Sequence, residues 1–152
     1  MKKLVLLMMP MLLLCLTGCS EETGQVVCTL SSKDAINEYE LVSEYKINYK
    51  GDFVESVETT ETVTSESEDI LNTFESTLNE TYKKMNDVYG GYTYEVTKEK
   101  GKVVSNVEID YNTMDVEQLV KDQPTFKSYV EDNKLSVEGL KTIYESTGAT
   151  CQ

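Results

Sequence analysis

The sequence predicts an α+β domain: an antiparallel sheet of about five strands with helices packed on one face. Three observations carry that reading. Apolar residues alternate with polar ones at a period of two over residues 38–64 and again over 92–111, the signature of half-buried strands. Each alternating stretch is broken by a short turn sequence, Lys50-Gly51-Asp52 and Glu99-Lys100-Gly101-Lys102, so each reads as a hairpin. Between the hairpins, Ile70, Phe74, Leu78, Tyr82, Met85 and Tyr89 recur every three or four residues, which places them along one face of a helix.

The chain begins with Met1-Lys2-Lys3, followed by an apolar run from Leu4 to Leu16 and then Leu16-Thr17-Gly18-Cys19. The run is too short to span a bilayer, which takes about 20 apolar residues, and Pro10 would remove a helical hydrogen bond inside it. Its length and flanks are those of a secretory signal. Small residues before a cysteine fit a lipoprotein signal peptide, with residues 1–18 removed and the Cys19 thiol as the site of diacylglyceryl attachment. Two acyl chains suffice for stable anchoring. The competing readings are an uncleaved anchor or a buried core segment. Residues 19–25 then form a short, acidic, lipidated tether, and 26–152 a single α+β domain.

Along that domain, Val26-Val27-Cys28-Thr29-Leu30 is β-branched and reads as a first strand, and Ser31 to Asn37 as a loop. Tyr39, Leu41, Tyr45, Ile47 and Tyr49 face one side of a long strand whose other side carries Glu38, Glu40, Glu44, Lys46, Asn48 and Lys50, with Val42 the exception. Its partner sets Phe53, Val57 and Val63 against Glu58, Thr60 and Thr62. Ser65 with Glu68 has the spacing of a capping box, opening the helix that Gly90-Gly91 ends. The second hairpin pairs Tyr92, Tyr94 and Val96 with Val103, Val107, Ile109 and Tyr111. Asp115 with Gln118 opens a short helix that Pro124 limits. Residues 125–133 are ambiguous. Ser136 to Glu145 is a last helix, with Val137, Leu140, Ile143 and Tyr144 inward and Gly148 as its stop. The order hairpin then helix thus occurs twice.

Composition narrows function. The 152 residues carry a net charge of −13. Residues 1–18 hold two lysines and no acid, so the remainder carries −15. Such acidity points away from nucleic acid, which is bound by neutralising phosphates, and from electrostatic adhesion to an anionic membrane. The chain has no Arg, His or Trp. That leaves no Ser-His or Cys-His relay, no imidazole metal site and no guanidinium clamp. No cofactor or metal site is expected. Of the four cysteines, Cys15 leaves with the signal and Cys19 is alkylated. Cys28 and Cys151 remain, and an exported domain lies where disulfides persist. One intramolecular pairing is then available, the alternatives being free thiols or metal ligands.

The residues Leu16-Thr17-Gly18-Cys19, Val27-Cys28-Thr29-Leu30, Tyr49-Lys50-Gly51-Asp52, Tyr89-Gly90-Gly91, Val107-Glu108-Ile109-Asp110-Tyr111 and the closing Leu140 to Gly148 segment resemble the YehR-like family of small bacterial lipoproteins. The resemblance implies an α+β fold and a membrane-anchored lipoprotein. It implies no activity, substrate or catalytic residue.

Two constellations invite chemistry. Tyr45, Tyr49, Tyr92 and Tyr94 could line a stacking surface, or cover the sheet beneath the helices with their hydroxyls at the rim. Glu38/Glu40, Glu58/Glu61, Glu66/Glu68/Asp69 and Glu108/Asp110 supply carboxylate pairs, but an acid–base pair needs a set separation in a cleft. Asp110, Asn112 and Asp115 miss the pattern of a calcium loop, and Gly90-Gly91 follows a helix where a phosphate cradle would open one. The expectation is a lipid-anchored domain on the extracytoplasmic side of the cell membrane that binds or scaffolds without catalysis. The alternative is an envelope enzyme using two carboxylates.

Overall fold

The computed structural model describes residues 22–152; the expected signal segment, Cys19 and the first part of the tether lie outside them. The described chain folds as β1 (Thr23–Asp34), β2 (Tyr39–Lys50), β3 (Phe53–Ser65), α1 (Glu68–Tyr89), β4 (Tyr92–Glu99) and β5 (Lys102–Asp110). Then come α2 (Val116–Asp122), a 3-10 turn (Pro124–Tyr129), β6 (Val130–Glu131), β7 (Lys134–Leu135), α3 (Val137–Ser146) and β8 (Thr150–Cys151). Six strands form one antiparallel sheet in the order β4-β5-β3-β2-β1-β8, and β6 pairs with β7 in a separate two-stranded ribbon. β2 to β5 are the strands the alternation marks, β1 is the one its β-branched residues mark, and β8 is the sixth.

The first strand is longer than Val26–Leu30. Thr23, Gly24 and Gln25 already pair with Lys50, Tyr49 and Asn48, and Ser31 to Asp34 continue the ladder to Tyr39. Their polar side chains disguise this, but a backbone ladder opposite an equally long β2 needs no apolar side chain. In β3, Asn48 pairs with Ser56 while Tyr49 pairs with Val54, so Glu55 is an extra residue and the pleat parity flips. Val54 is therefore buried, and Phe53, expected inward, sits half-exposed with the Lys134 Nζ 5.5 Å above its ring.

The long helix begins later than the sequence suggests. Its cap is Ser67, whose Oγ accepts from the Ile70 N–H. Ser65 ends β3 instead. Its hydroxyl donates to the Glu38 carbonyl (2.8 Å) and accepts from Ser67 N–H (3.1 Å). The buried residue of the first turn is accordingly Leu71, fully excluded from solvent, and not Ile70. Gly91 closes the helix-to-strand turn at φ +75°, and a Cβ there would lie 2.7 Å from the Asp110 carbonyl oxygen. The later helices open on their own caps. Asp115 accepts from Gln118 N–H (2.9 Å), and Ser136 from Gly139 N–H (3.1 Å).

α1 and α3 lie on the sheet face that carries the odd-numbered residues of β2 and β5 and, beyond the bulge, those of β3 from Val57 onward. α1 covers β3, β4 and β5, burying Leu71 against Val63 and Val103 with Tyr39, Leu41, Phe74, Leu78 and Val96 around them. α3 covers the other side, where Leu140, Val137 and Leu135 meet Cys28, Ile47, Val54 and Val57. The opposite face is an uncovered polar lattice in which Gln25 bonds to Asn48, Asn48 to Ser56 and Glu58, and Thr60 to Asn106.

Candidate functional site

Cys28 and Cys151 are joined in a disulfide, 123 residues apart in sequence, with their Cα atoms 4.0 Å apart. The register explains the fit. Val27 and Gln152 exchange both backbone hydrogen bonds (3.0 and 2.9 Å), so Cys28 and Cys151 form the next, non-hydrogen-bonded pair, where facing side chains approach most closely. The bond fixes the last strand to the centre of β1. Cys19, the expected lipidation site, lies outside the described residues.

The inner face is not uniformly apolar. Ser43, Glu61 and Ser105 stand side by side on β2, β3 and β5, forming a polar row across the sheet. The row separates the cluster around Leu71 from the cluster around Leu140. Glu61 Oε2 accepts from Ser105 Oγ at 3.0 Å and from the hydroxyl of Tyr82, which reaches down from α1. Tyr94 packs beside Tyr82 with ring centroids 5.8 Å apart, and Tyr45 stacks on Tyr144 of α3 at 4.3 Å. Burial, reinforced by the Glu61 charge, pushes the Tyr82 hydroxyl far above the ordinary tyrosine range, so it remains a donor at any physiological pH. Burial likewise raises Tyr45 and Tyr144. Ser43 Oγ is buried and meets no partner at hydrogen-bonding geometry, although it lies close enough to the Tyr45 hydroxyl to offset part of the burial effect there.

Two of the sequence readings bear on this packing. Tyr45, Tyr49 and Tyr92 pack against the core clusters and Tyr94 against Tyr82, and Tyr92, half-buried beside Tyr89, is pushed up to about 12. Glu58 and Glu61 do not form a pair, because an odd separation along a strand sends them to opposite faces. The inner-face neighbours of Glu61 are Ser43, Ser105, Thr59 and Val63, none of them acidic. The row was not singled out in the sequence; its signal is a hydrophilic residue at an inward position of three strands that prove to be adjacent.

Concavities of about 370 and 510 Å³ flank the β2–β3 turn around Gly51 and Asp52, another of about 370 Å³ lies along β3, β4 and β5, and two more lie at the end of the sheet formed by the β1–β2, β3–α1 and β4–β5 connections. A groove of about 570 Å³ runs between the Lys33–Glu40 turn and the Thr64–Glu66 segment, next to Gly101. A second, of about 270 Å³, lies between Asn37 and the first turns of α1, along Ile70 and Phe74. Tyr39 lines both and meets the Phe74 ring edge-on at 4.9 Å. Asp34 organises the turn between them. One carboxylate oxygen accepts from the Ile36 and Asn37 N–H groups (2.9 Å each), and the other from the Asn37 side chain (2.7 Å). The bonds from Asn37 hold the Asp34 carboxyl below its usual range. The turn presents Ile36 with 92% of its surface exposed. Among the described residues, no three His, Cys, Asp or Glu side chains converge as metal ligands would, and no helix is long and apolar enough to cross a membrane.

Two solved structures resemble this arrangement. One is an NMR structure of a protein from Streptococcus pneumoniae TIGR4, with 12% identity and a TM-score of 0.51, covering 100% of this chain and 96% of that one. The other is the NMR structure of the E. coli YehR protein, with 21% identity and a TM-score of 0.51, covering 88% and 92%. The chain shares its fold with both. No family model and no curated protein matches it.

Proposed function

We propose that the chain is a lipoprotein of the YehR-like family, held at the extracytoplasmic face of the bacterial cell membrane through lipid on Cys19, and that its domain binds or scaffolds a partner there without catalysis. The observation that carries this is Cys19 itself, placed directly after Thr17-Gly18 at the end of a basic and then apolar leader. The Cys28–Cys151 disulfide supports an exported location, because such bonds persist outside the reducing cytosol. The fold likeness to YehR accords with the sequence resemblance to the YehR-like family.

On this reading the anchor is short. β1 starts four residues after Cys19, and at ~3.5 Å per residue the domain begins within about 14 Å of the lipid attachment. The strand then leads away for about 36 Å at ~3.3 Å per residue. We infer that the β2–β3 turn, at the Cys19 end of β1, faces the membrane and that the Asp34–Glu38 turn, at the other end, faces away from it. The test is fractionation of bacteria expressing the wild-type chain or Cys19→Ser in the presence of an alkyne-tagged fatty acid. Wild type should be labelled and sediment with membranes, and Cys19→Ser should be unlabelled. Equal labelling, or none in either, would refute the anchor.

A further inference from the structure

We propose that the end of the domain formed by the β1–β2 turn, the start of α1 and the β4–β5 turn is a docking surface for a cationic polypeptide segment carrying one apolar anchor residue. Its outward orientation rests on the lipid anchor above; the docking chemistry does not.

Ile36 is the starting point. An isoleucine 92% exposed gains nothing for the isolated fold, yet the Asp34 side chain holds its turn in place with three hydrogen bonds. Glu38, next along, adopts φ +55°, and its carbonyl is fixed by the Ser65 hydroxyl. Little ordering entropy would therefore be lost when a partner covers Ile36, which is the benefit of preorganisation. The chain on either side of Ile36 lines the two grooves, Ala35 in the larger and Asn37 in the smaller; the grooves share Tyr39, and Ile70 and Phe74 supply apolar lining to the smaller one.

Charge identifies the occupant. Asp34, Glu38, Glu40, Glu66 and Asp69 line the two grooves, against Lys33 in the lining and Lys100 beside it. Two other lysines at this end, Lys98 and Lys102, pair with Glu68 (3.1 Å) and Glu99 (3.1 Å). A second copy would bring the same acids against these, and an anionic bilayer would be repelled in the same way. A Lys- or Arg-bearing segment would be drawn in, with its apolar residue packing against Ile36.

The test uses the full chain in neutral detergent and two photoreactive peptides. One is Lys-Lys-Gly-Xaa-Gly-Lys-Lys, with a diazirine leucine at Xaa, and the other is the same peptide with Glu in place of Lys. Cross-linked residues are mapped by mass spectrometry. The cationic peptide should label residues 33–40 and 66–74, fall off steeply when salt is raised to about 0.5 M, and lose at least fivefold of its labelling in Ile36→Ser. Glu38→Lys with Glu66→Lys should reduce labelling more than tenfold. Glu58→Lys with Glu108→Lys, on the uncovered sheet face, should leave it unchanged, and circular dichroism checks that each variant is folded. Labelling centred on the sheet face, equal labelling by the Glu peptide, no labelling, or indifference to Ile36→Ser would each overturn the proposal. None of these outcomes depends on whether Cys19 is acylated.

Discussion

Replacing Cys28 and Cys151 together by alanine removes a covalent closure spanning 123 positions, nearly the whole described domain. In the chain-entropy model a loop of that length restrains the unfolded chain by about 4.9 kcal/mol at 25 °C. Native-state consequences are smaller, because two backbone hydrogen bonds between Val27 and Gln152 still hold β8 in register. With unfolding entropy of ~2.1 cal/mol/K per residue, the double variant should melt about 15–20 °C lower. Its urea m-value should rise, because the uncrosslinked unfolded chain exposes more surface. Far-UV circular dichroism at 25 °C should be unchanged, since every long strand and helix is retained. The assay is paired urea and thermal unfolding of wild type and double variant, with a thiol count on the native protein. A loss below about 1 kcal/mol, or two reactive thiols at Cys28 and Cys151 in the wild type, would refute the reasoning.

Further outcomes follow from the same packing. Leu71→Ala should cost about 2.7–5 kcal/mol, as for buried leucines elsewhere, whereas Ile70→Ala should cost under about 1 kcal/mol; urea titration separates them, and a reversed order would make Ile70 the inward residue of the first turn. Tyr82→Phe should destabilise by about 1–3 kcal/mol by leaving the Glu61 carboxylate with Ser105 as its remaining hydroxyl donor. If Tyr82→Phe is neutral while Glu61→Leu is costly, the bond is not what fixes α1. Stability should also fall at alkaline pH. Tyr82, Tyr92, Tyr111 and Tyr144 all have folded pKa values raised above the unfolded value near 10, so the folded state holds protons that the unfolded state releases. The contribution is whole below pH 10 and is lost as pH rises, through about 12 in the case of Tyr92. Absorbance at the tyrosinate band should show these groups ionising only with unfolding, and ordinary titration of all ten tyrosines in the folded protein would contradict it.

The sheet was legible because period-two alternation survives wherever one face is buried. It located β2 to β5 and both hairpin turns. It missed the ends of β1, where Ser31, Ser32 and Lys33 are held by backbone pairing alone, and it missed β8, too short at two residues to show a period. The 3-10 turn and the β6–β7 ribbon were ambiguous because Phe126, Tyr129 and Val130 pack into the core from irregular backbone. The helix face was legible as well: Phe74, Leu78 and Tyr82 of the apolar stripe pack inward, and only in the first turn does Leu71 take the place expected of Ile70, since either residue, three or four positions before Phe74, fits a helical spacing. Only the identity of the cap, Ser67 and not Ser65, distinguishes the two. The disulfide was inferred from cysteine counting and compartment, and the register of β8 on β1 supplies the geometry. The polar row and the grooves around Tyr39 were beyond sequence reasoning, since both depend on which strands and turns become neighbours.

The intact mass of the chain recovered from membranes of expressing bacteria tests the proposed anchoring of the domain through Cys19. The expected species begins at Cys19, lacks residues 1–18, and is heavier than that polypeptide by a diacylglyceryl group, with or without a further acyl chain. A chain retaining residues 1–18, or one beginning at another residue with no lipid, would contradict it.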